Sequence, residues 1–331
     1  MEFIDSTLPS FLKDSGCTLK CLVYFIIFIG AIYVVKMLLG LVSLINRQFI
    51  RKPLDLIKTY GGQDSWAVVT GGSDGVGLQF CKDLAKLGFN ICIISRTESK
   101  IQEKLQEISK NCGKQIKTRA IVADLSKMTK IEEYEKLATK LSDIDIGMLL
   151  LNAGWTQTCP FIDLTPEQIE YTVNINALHP AYLSKVLIKQ LQARTQRSAI
   201  IITSSGLAGF PASGAITYSA SKAFSSFLGQ GLNYELKDKI DVMSYELGET
   251  RTKLLGSRKS PMVIEDVRIV TKACLRDIGR ESLTYGALKH ELSMLLIGVL
   301  PLKMLQSTMY KASLKVRDRI RAKEAAEKKA Q

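Results

Sequence analysis

Tyr218 and Lys222 stand four residues apart in the run YSASK, at the start of a helix-like stretch, so one turn of helix brings both to the same face. Thirteen residues before Tyr218 lies Ser205, just past a run of strand-forming residues at Ala199–Thr203. A phenol beside an ammonium has a lowered pKa and can pass a proton to the alkoxide that forms when a ketone is reduced. As an isolated pair, Tyr218 and Lys222 also read as a surface phenol and a solvated cation. Ser205 and the turn described next favour the chemical reading.

That turn is Thr70-Gly71-Gly72-Ser73-Asp74-Gly75-Val76-Gly77, between the strand pattern Trp66–Thr70 and the helix pattern Leu78–Leu87. Glycines in such a place let the backbone bend sharply and approach a pyrophosphate, and the helix start offers free N–H groups to its charge. The second strand pattern ends at Ser95-Arg96-Thr97, where a fold that prefers NAD places an acid for the ribose hydroxyls. Arg96 suits a 2′-phosphate instead, so the expected cofactor is NADP(H). Asp124 after the third strand and Asn152, in Asn-Ala-Gly after the fourth, fall where strand ends line a cofactor crevice.

The elements that must position these residues alternate along the chain. Strands are expected at Trp66–Thr70, Asn90–Ser95, Lys117–Val122, Gly147–Leu151, Ala199–Thr203 and Asp241–Tyr245, each apolar enough for burial on both faces. Amphipathic stretches such as Ile101–Lys110 and Ile131–Leu141 lie between them. The pattern predicts an α/β Rossmann-like, doubly wound parallel sheet over 65–290.

The flanks differ from this middle. Leu22–Ile45 is apolar with Lys36 as its only charge, long enough at about 1.5 Å per residue to cross roughly 30 Å of hydrocarbon. It makes residues 1–48 an N-terminal segment carrying a transmembrane helix, and 49–64 a junction. Arg47, Arg51, Lys52 and Lys58 after the span outweigh Lys13 and Lys20 before it, which places the catalytic domain in the cytosol. Residues 291–331 form a C-terminal extension. Within it Leu292–Leu305, broken by Pro301 and Lys303, reads as a surface segment or a lid over the substrate site. A helix-prone basic tail suited to anionic headgroups follows. The final Lys328-Lys329-Ala330-Gln331 is similar to a dilysine retrieval signal of the endoplasmic reticulum.

The net charge is +13, nearly half of it in this tail and unaccompanied by a zinc-finger, RNP or helix-turn-helix pattern, so nucleic acid is not an expected partner. The seven cysteines are scattered and form no metal-ligand spacing, which reads as reduced thiols and no metal site.

With TGGSDGVG, Asn-Ala-Gly, Ser-Ser-Gly and the Tyr-x-x-x-Lys, residues 65–255 resemble the short-chain dehydrogenase/reductase superfamily. The resemblance implies that Tyr218 protonates the substrate oxygen, Ser205 hydrogen-bonds it, and Lys222 tunes Tyr218 and holds the nicotinamide ribose. Asn176 of VNINALHP, rather than Asn174, would anchor a proton-relay water. It further implies a cofactor site of Gly71, Ser73, Asp74, Gly75, Val76, Gly77, Arg96, Asp124, Asn152, Tyr218, Lys222 and Thr252. More narrowly the whole chain is similar to the membrane-bound very-long-chain 3-oxoacyl-CoA reductase and 17-beta-hydroxysteroid dehydrogenase type 12 subfamily. The similarity rests on RKPLDLIKTYGGQDSWAVVTGGSDGVG, SRTESKI, Thr252-Lys253-Leu254, Ser260-Pro261 and GALKHEL around His290.

This narrower likeness implies reduction of 3-oxoacyl-CoA to 3-hydroxyacyl-CoA in fatty-acid elongation, at the endoplasmic reticulum membrane. The expected partners are a lipid-like ketone, other elongation enzymes and a second copy in a homodimer. A steroid or other lipid ketone is the alternative substrate, and both classes need an apolar cleft near Leu254–Leu305. An inactive NADP(H)-binding subunit of a membrane complex would have lost a catalytic residue, and none is missing. One departure stands out: Leu247-Gly248-Glu249-Thr250 replaces a family proline after the sixth strand, which frees that loop and puts Glu249 near the site. His290, one of two histidines, reads as structural rather than catalytic.

Overall fold

A computed structural model describes residues 17–62, 64–255 and 260–330. The dilysine tail ends outside the described residues, as do Lys13 and the other residues that open the chain. The chain divides at Lys52/Pro53 into two compact units.

The first unit is one long helix, α1 (Cys17–Ile45), continued by a π-helical turn at Asn46–Ile50. Its Leu19–Ile50 stretch is long and apolar enough to cross a membrane, with a peak mean hydropathy of 2.5 and nothing of that window buried. Large side chains such as Phe25, Phe28, Tyr33 and Leu39 point outward, an arrangement that is stable against hydrocarbon and costly in water.

The second unit is a parallel sheet with helices on both faces. Its elements run α2 (Leu56–Tyr60), β1 (Ser65–Thr70), α3 (Gly75–Leu87), β2 (Asn90–Ser95), α4 (Glu98–Asn111), β3 (Thr118–Val122), α5 (Ile131–Thr139) and β4 (Asp145–Leu151). They continue with α6 (Pro166–Val173), α7 (His179–Gln192), β5 (Ser198–Ser205), α8 (Ile216–Leu236), β6 (Ile240–Leu247), α9 (Val267–Asp277), β7 (Leu283–Thr284), α10 (Leu288–Val299) and α11 (Leu302–Ala330). The strand order is β3-β2-β1-β4-β5-β6-β7, every pairing parallel, with the reversal between β1 and β4.

Alternation along the strands fills both faces. Ala67, Val69, Ile91, Ile93, Met148 and Ile201 pack with Phe80, Leu84 and Tyr245 in one core. Val68, Cys92, Ile94, Leu149, Leu151 and Ile202 pack with Tyr134, Leu183 and Leu187 in the other. Each buried aliphatic side chain contributes about 1.5–3 kcal/mol, so together these two layers fix the strand register. Part-exposed ion pairs tie down the ends of the strands. Arg194, for example, grips Asp145 at 2.5 Å and donates to the Tyr60 carbonyl at 3.0 Å.

The structure corrects several expectations. β3 is an edge strand with Thr118 and Val122 exposed, so it is not buried on both faces, and it starts one residue after Lys117. β5 and β6 run on into polar residues, because neighbouring backbone pairs them where hydropathy fades, and Ser205 is therefore the last residue of its strand. The two residues of β7 are too few to leave a periodic signal. Leu292–Leu305 is two helices bent by 114° at Leu300-Pro301. Among the described residues, Cys81, Cys92, Cys112, Cys159 and Cys274 are free thiols buried in the domain.

Candidate active site

The strand ends converge on a cleft of about 1020 Å3. At its nucleotide end, Gly71 and Gly75 have positive φ of 65° and 54°, a backbone that L side chains rarely adopt. A Cβ on Gly77 would overlap the Gly71 carbonyl and come within 2.5 Å of Asn152 Nδ2, so only glycine closes this turn. Asp74 caps α3, accepting the Gly75 N–H at 2.8 Å. Burial pushes the Asp74 carboxyl up, but Lys253 at 2.9 Å and the Gly75 N–H outweigh it, leaving its pKa below the ordinary value. Ser73 and Ser95 share a 2.9 Å hydrogen bond between the glycine turn and the end of β2. Val76 and Thr252 also line the cleft, and Thr252 Cγ2 lies 3.3 Å from where a Gly75 Cβ would be.

Beyond β2, Arg96 lines the cleft and donates to the Tyr171 hydroxyl at 3.1 Å, with Lys100 beside it. Asp124 faces the cleft and accepts from the Ser126 hydroxyl at 2.6 Å. Asn152 donates to the Thr70 carbonyl at 3.3 Å, and Thr70 Oγ1 accepts the Asn152 and Ala153 N–H groups at 2.9 and 3.1 Å. These bonds lock the ends of β1 and β4 together where the sheet order reverses, the natural place for a nucleotide crevice. A turn that only glycine can make, running straight into a helix start, with Arg96, Lys100 and Lys253 lining the cleft beside it, fits a dinucleotide.

At the other end, Ser205 closes β5, while Tyr218 and Lys222 come from the first turns of α8. Ser205, whose hydroxyl accepts the Leu207 N–H at 3.2 Å, lies close enough to the Tyr218 phenol to act on its proton. Burial raises the pKa of that phenol, and Ser205 lowers it by less, so the net shift is upward. Lys222 Nζ lies 6.0 Å from the Tyr218 ring centre and donates to the Thr203 carbonyl at 2.7 Å. Burial pushes its pKa down to about 8. In this arrangement the ammonium reaches the phenol across the ring and makes no direct bond to its oxygen.

Asn176 lies in the π-helical turn Asn174–Leu178 between α6 and α7. Its side chain accepts the Trp155 N–H at 3.1 Å and donates to the Trp155 carbonyl at 2.8 Å. A Cβ on Gly154 would sit 3.0 Å from Asn176 Oδ1 and 3.1 Å from Lys222 Nζ, so the glycine of Asn-Ala-Gly leaves the space that brings these two together. Asn174 instead donates to the Ser126 carbonyl at 3.0 Å, away from the cleft.

Some lining residues gave no sequence signal. Trp155 and Tyr171 stack edge to face at 5.0 Å beside Arg96, and Phe210 comes from the turn after β5. Such residues are found only when the chain returns across a strand end, which no local pattern records. Met294, Ile297 and Leu305, from the stretch expected as a surface segment or a lid, wall the end of the cleft together with Met309 of α11.

The glycine turn, the β5 serine, the α8 Tyr-x-x-x-Lys and the seven-stranded parallel sheet together define a nicotinamide-dependent oxidoreductase of the short-chain type. The short chain dehydrogenase family model matches residues 65–262, and the chain belongs to that family. Two curated relatives extend the likeness beyond it. A very-long-chain 3-oxoacyl-CoA reductase of Podospora anserina is 34% identical over 77% of this chain and 74% of its own. A Caenorhabditis elegans protein named as a steroid dehydrogenase is 31% identical over 91% of this chain and 96% of its own. Among solved structures, a short-chain dehydrogenase from Sphingobium yanoikuyae in complex with NADPH is 26% identical, with a TM-score of 0.60 over 72% of this chain and 96% of that one.

Proposed function

We propose that this protein uses NADPH to reduce the 3-keto group of a long-chain 3-oxoacyl-CoA. It would do so at the endoplasmic reticulum membrane, with the catalytic unit in the cytosol. The observation that carries the reading is the continuity of one cleft from Arg96 and the glycine turn, past Ser205, Tyr218 and Lys222, to the apolar wall of Met294, Ile297, Leu305 and Met309. A ketone on a long apolar tail matches both halves of that lining.

Gly71, Ser73, Asp74, Gly75 and Val76, which line the cleft, and Gly77, which packs behind them on Gly71 and Asn152, would frame the pyrophosphate. Arg96 would pair with the 2′-phosphate, Asp124 and Asn152 would border the adenosine, and Thr252 would close the turn. Bound there, reduced nicotinamide supplies the hydride that reduces the ketone. The side chains supply the rest. Ser205 donates a hydrogen bond to the carbonyl oxygen, and Tyr218, protonated through its buried position, gives that oxygen a proton as charge develops. Lys222 holds the ribose, and Asn176 holds the water through which Tyr218 is reprotonated.

Support for the membrane comes from α1 and from α10–α11, whose bend exposes Leu295, Leu296, Val299, Leu302 and Met304 beside Lys303. An apolar tip with a basic collar suits the boundary between acyl chains and anionic headgroups.

The test is NADPH oxidation by the full-length protein in phospholipid nanodiscs, offered a long-chain 3-oxoacyl-CoA or a steroid ketone. Turnover of the acyl-CoA is expected. Steroid turnover without acyl-CoA turnover would overturn the substrate and leave the reductase standing. The steroid reading is kept because a relative named for that chemistry aligns with nearly the whole chain.

A further inference from the structure

The loop after β6 runs the length of the cleft. Leu247 pairs across the sheet with Ser205, so the loop begins at the reacting end, and Thr252 and Lys253 reach Gly75 and Asp74 at the pyrophosphate turn. Leu247, Gly248, Glu249 and Thr250 line the cleft between these points. The outer edge of the loop is tied by backbone bonds: Ile264 N–H donates to the Glu249 carbonyl and Arg251 N–H to the Ile264 carbonyl, each at 2.9 Å.

One side chain holds its inner edge. His290, 1% exposed, accepts the Gly248 N–H on Nδ1 at 3.3 Å and directs Nε2 at the Glu249 carbonyl at 3.2 Å. Both bonds form together when Nδ1 is bare and Nε2 carries the proton, and the Tyr285 backbone is a further group facing the ring. The imidazole lies against the loop so closely that a Cβ on Gly248 would overlap it, so Gly248 and His290 are a matched pair. The neighbouring Lys289 donates to the Val263 carbonyl at 2.7 Å, so two consecutive residues of α10 grip both the loop and the segment beside it. Further along the same helix, Met294 and Ile297 wall the substrate end of the cleft.

We infer that His290 is a positioning residue: it fixes the Gly248–Glu249 backbone at the reacting end of the cleft and ties the cofactor loop to the helix that would contact the substrate tail. It touches neither reactant in this role and transfers no proton. The histidine that the sequence offered as merely structural thus joins two halves of one site, and the family proline replaced by Leu247 has its ordering effect supplied from across the cleft.

The experiment compares wild type, His290→Phe and His290→Gln as full-length proteins in nanodiscs, by NADPH fluorescence titration and thermal melting. Phenylalanine keeps a ring and drops both nitrogens, whereas glutamine keeps an acceptor and a donor. The Phe variant should bind NADPH about tenfold more weakly, the effect of losing two ordinary hydrogen bonds, and Gln should recover most of that loss. Their melting temperatures should agree with each other. Unchanged NADPH affinity in the Phe variant, or equal losses in both, would overturn the proposal in favour of packing alone. Where Phe does not fold, His290→Ala replaces it under the same criteria. Amide exchange of the wild type reads the contact without substitution: the Gly248 N–H should be protected before NADPH is added, and exchange at open-loop rates would also overturn it.

Discussion

The two halves of the cleft are built differently. The nucleotide half stands on the ends of β1, β2 and β4, where Thr70, Asn152, Ser73 and Ser95 already bond one another and the glycines leave fixed space. The far half is assembled from the loop after β6 and from α10 and α11, which meet it with flexible Met294, Leu305 and Met309. A pre-bonded frame cannot change shape without losing several hydrogen bonds, whereas methionine and leucine repack at little cost. On the proposed function, cofactor precision would rest on the sheet ends and the loop that His290 holds, and substrate choice on the apolar side chains of the late helices.

The sharpest test of that division lies on its boundary. Tyr218→Phe removes the acid and nothing else, so kcat should fall by about 10²–10⁴-fold while NADPH affinity, measured by fluorescence titration, stays within about twofold. A matching loss of affinity would mean that the phenol belongs to the frame instead. The pH dependence follows from the raised phenol pKa. Ketone reduction needs the protonated form, so its rate should fall as pH rises through that pKa. The reverse oxidation needs the phenolate and should rise over the same range.

Within the frame, Gly77→Ala should be the most damaging small change. Its methyl group meets the Gly71 carbonyl and Asn152, both held by backbone, so relief requires opening the turn itself. NADPH affinity should drop by about 10²-fold, equivalent to about 3 kcal/mol. Arg96→Ala should cost about tenfold to 10²-fold in NADPH affinity and leave NADH affinity nearly unchanged, because only the 2′-phosphate distinguishes the two. Equal losses for both cofactors would show that Arg96 acts through its bond to Tyr171.

The same contrast governs what the sequence disclosed. The strand, glycine turn and helix, and the Tyr218/Lys222 spacing, are short-range patterns, and the structure brings them into one cleft. Arg96, Asp124 and Asn152 were legible because parallel strands all end on the same side of the sheet. Asn176 was placed by family spacing. Its contact with Trp155 and its place near Lys222 depend on a π-helical turn that no periodicity announces. The segment Leu292–Leu305 was legible as a lid or a surface segment, and Met294, Ile297 and Leu305 do line the cleft. Met309 lay beyond it, and hydropathy alone does not tell which apolar side chains face a substrate and which a bilayer. The loop at Leu247–Thr250 looked unrestrained without its proline, since the groups that hold it, Ile264 and His290, lie far along the chain.

The smallest expected effect is also the most informative about the far half. Ile297 is half-buried on α10, facing the cleft, while Leu296 beside it is exposed on the outer side. Replacing Ile297 by Trp adds bulk within the cleft without touching the nucleotide frame. If this end holds an acyl tail, kcat/KM should fall by about tenfold for the longest 3-oxoacyl-CoA and by less than about twofold for a short one, a difference of the size that a few buried methylenes supply. Leu296→Trp, one residue round the helix and pointing outward, should leave both values unchanged. A uniform loss across chain lengths would instead place Ile297 near the reacting carbonyl. The division between a rigid cofactor frame and an adaptable tail pocket would then have to be redrawn around α11.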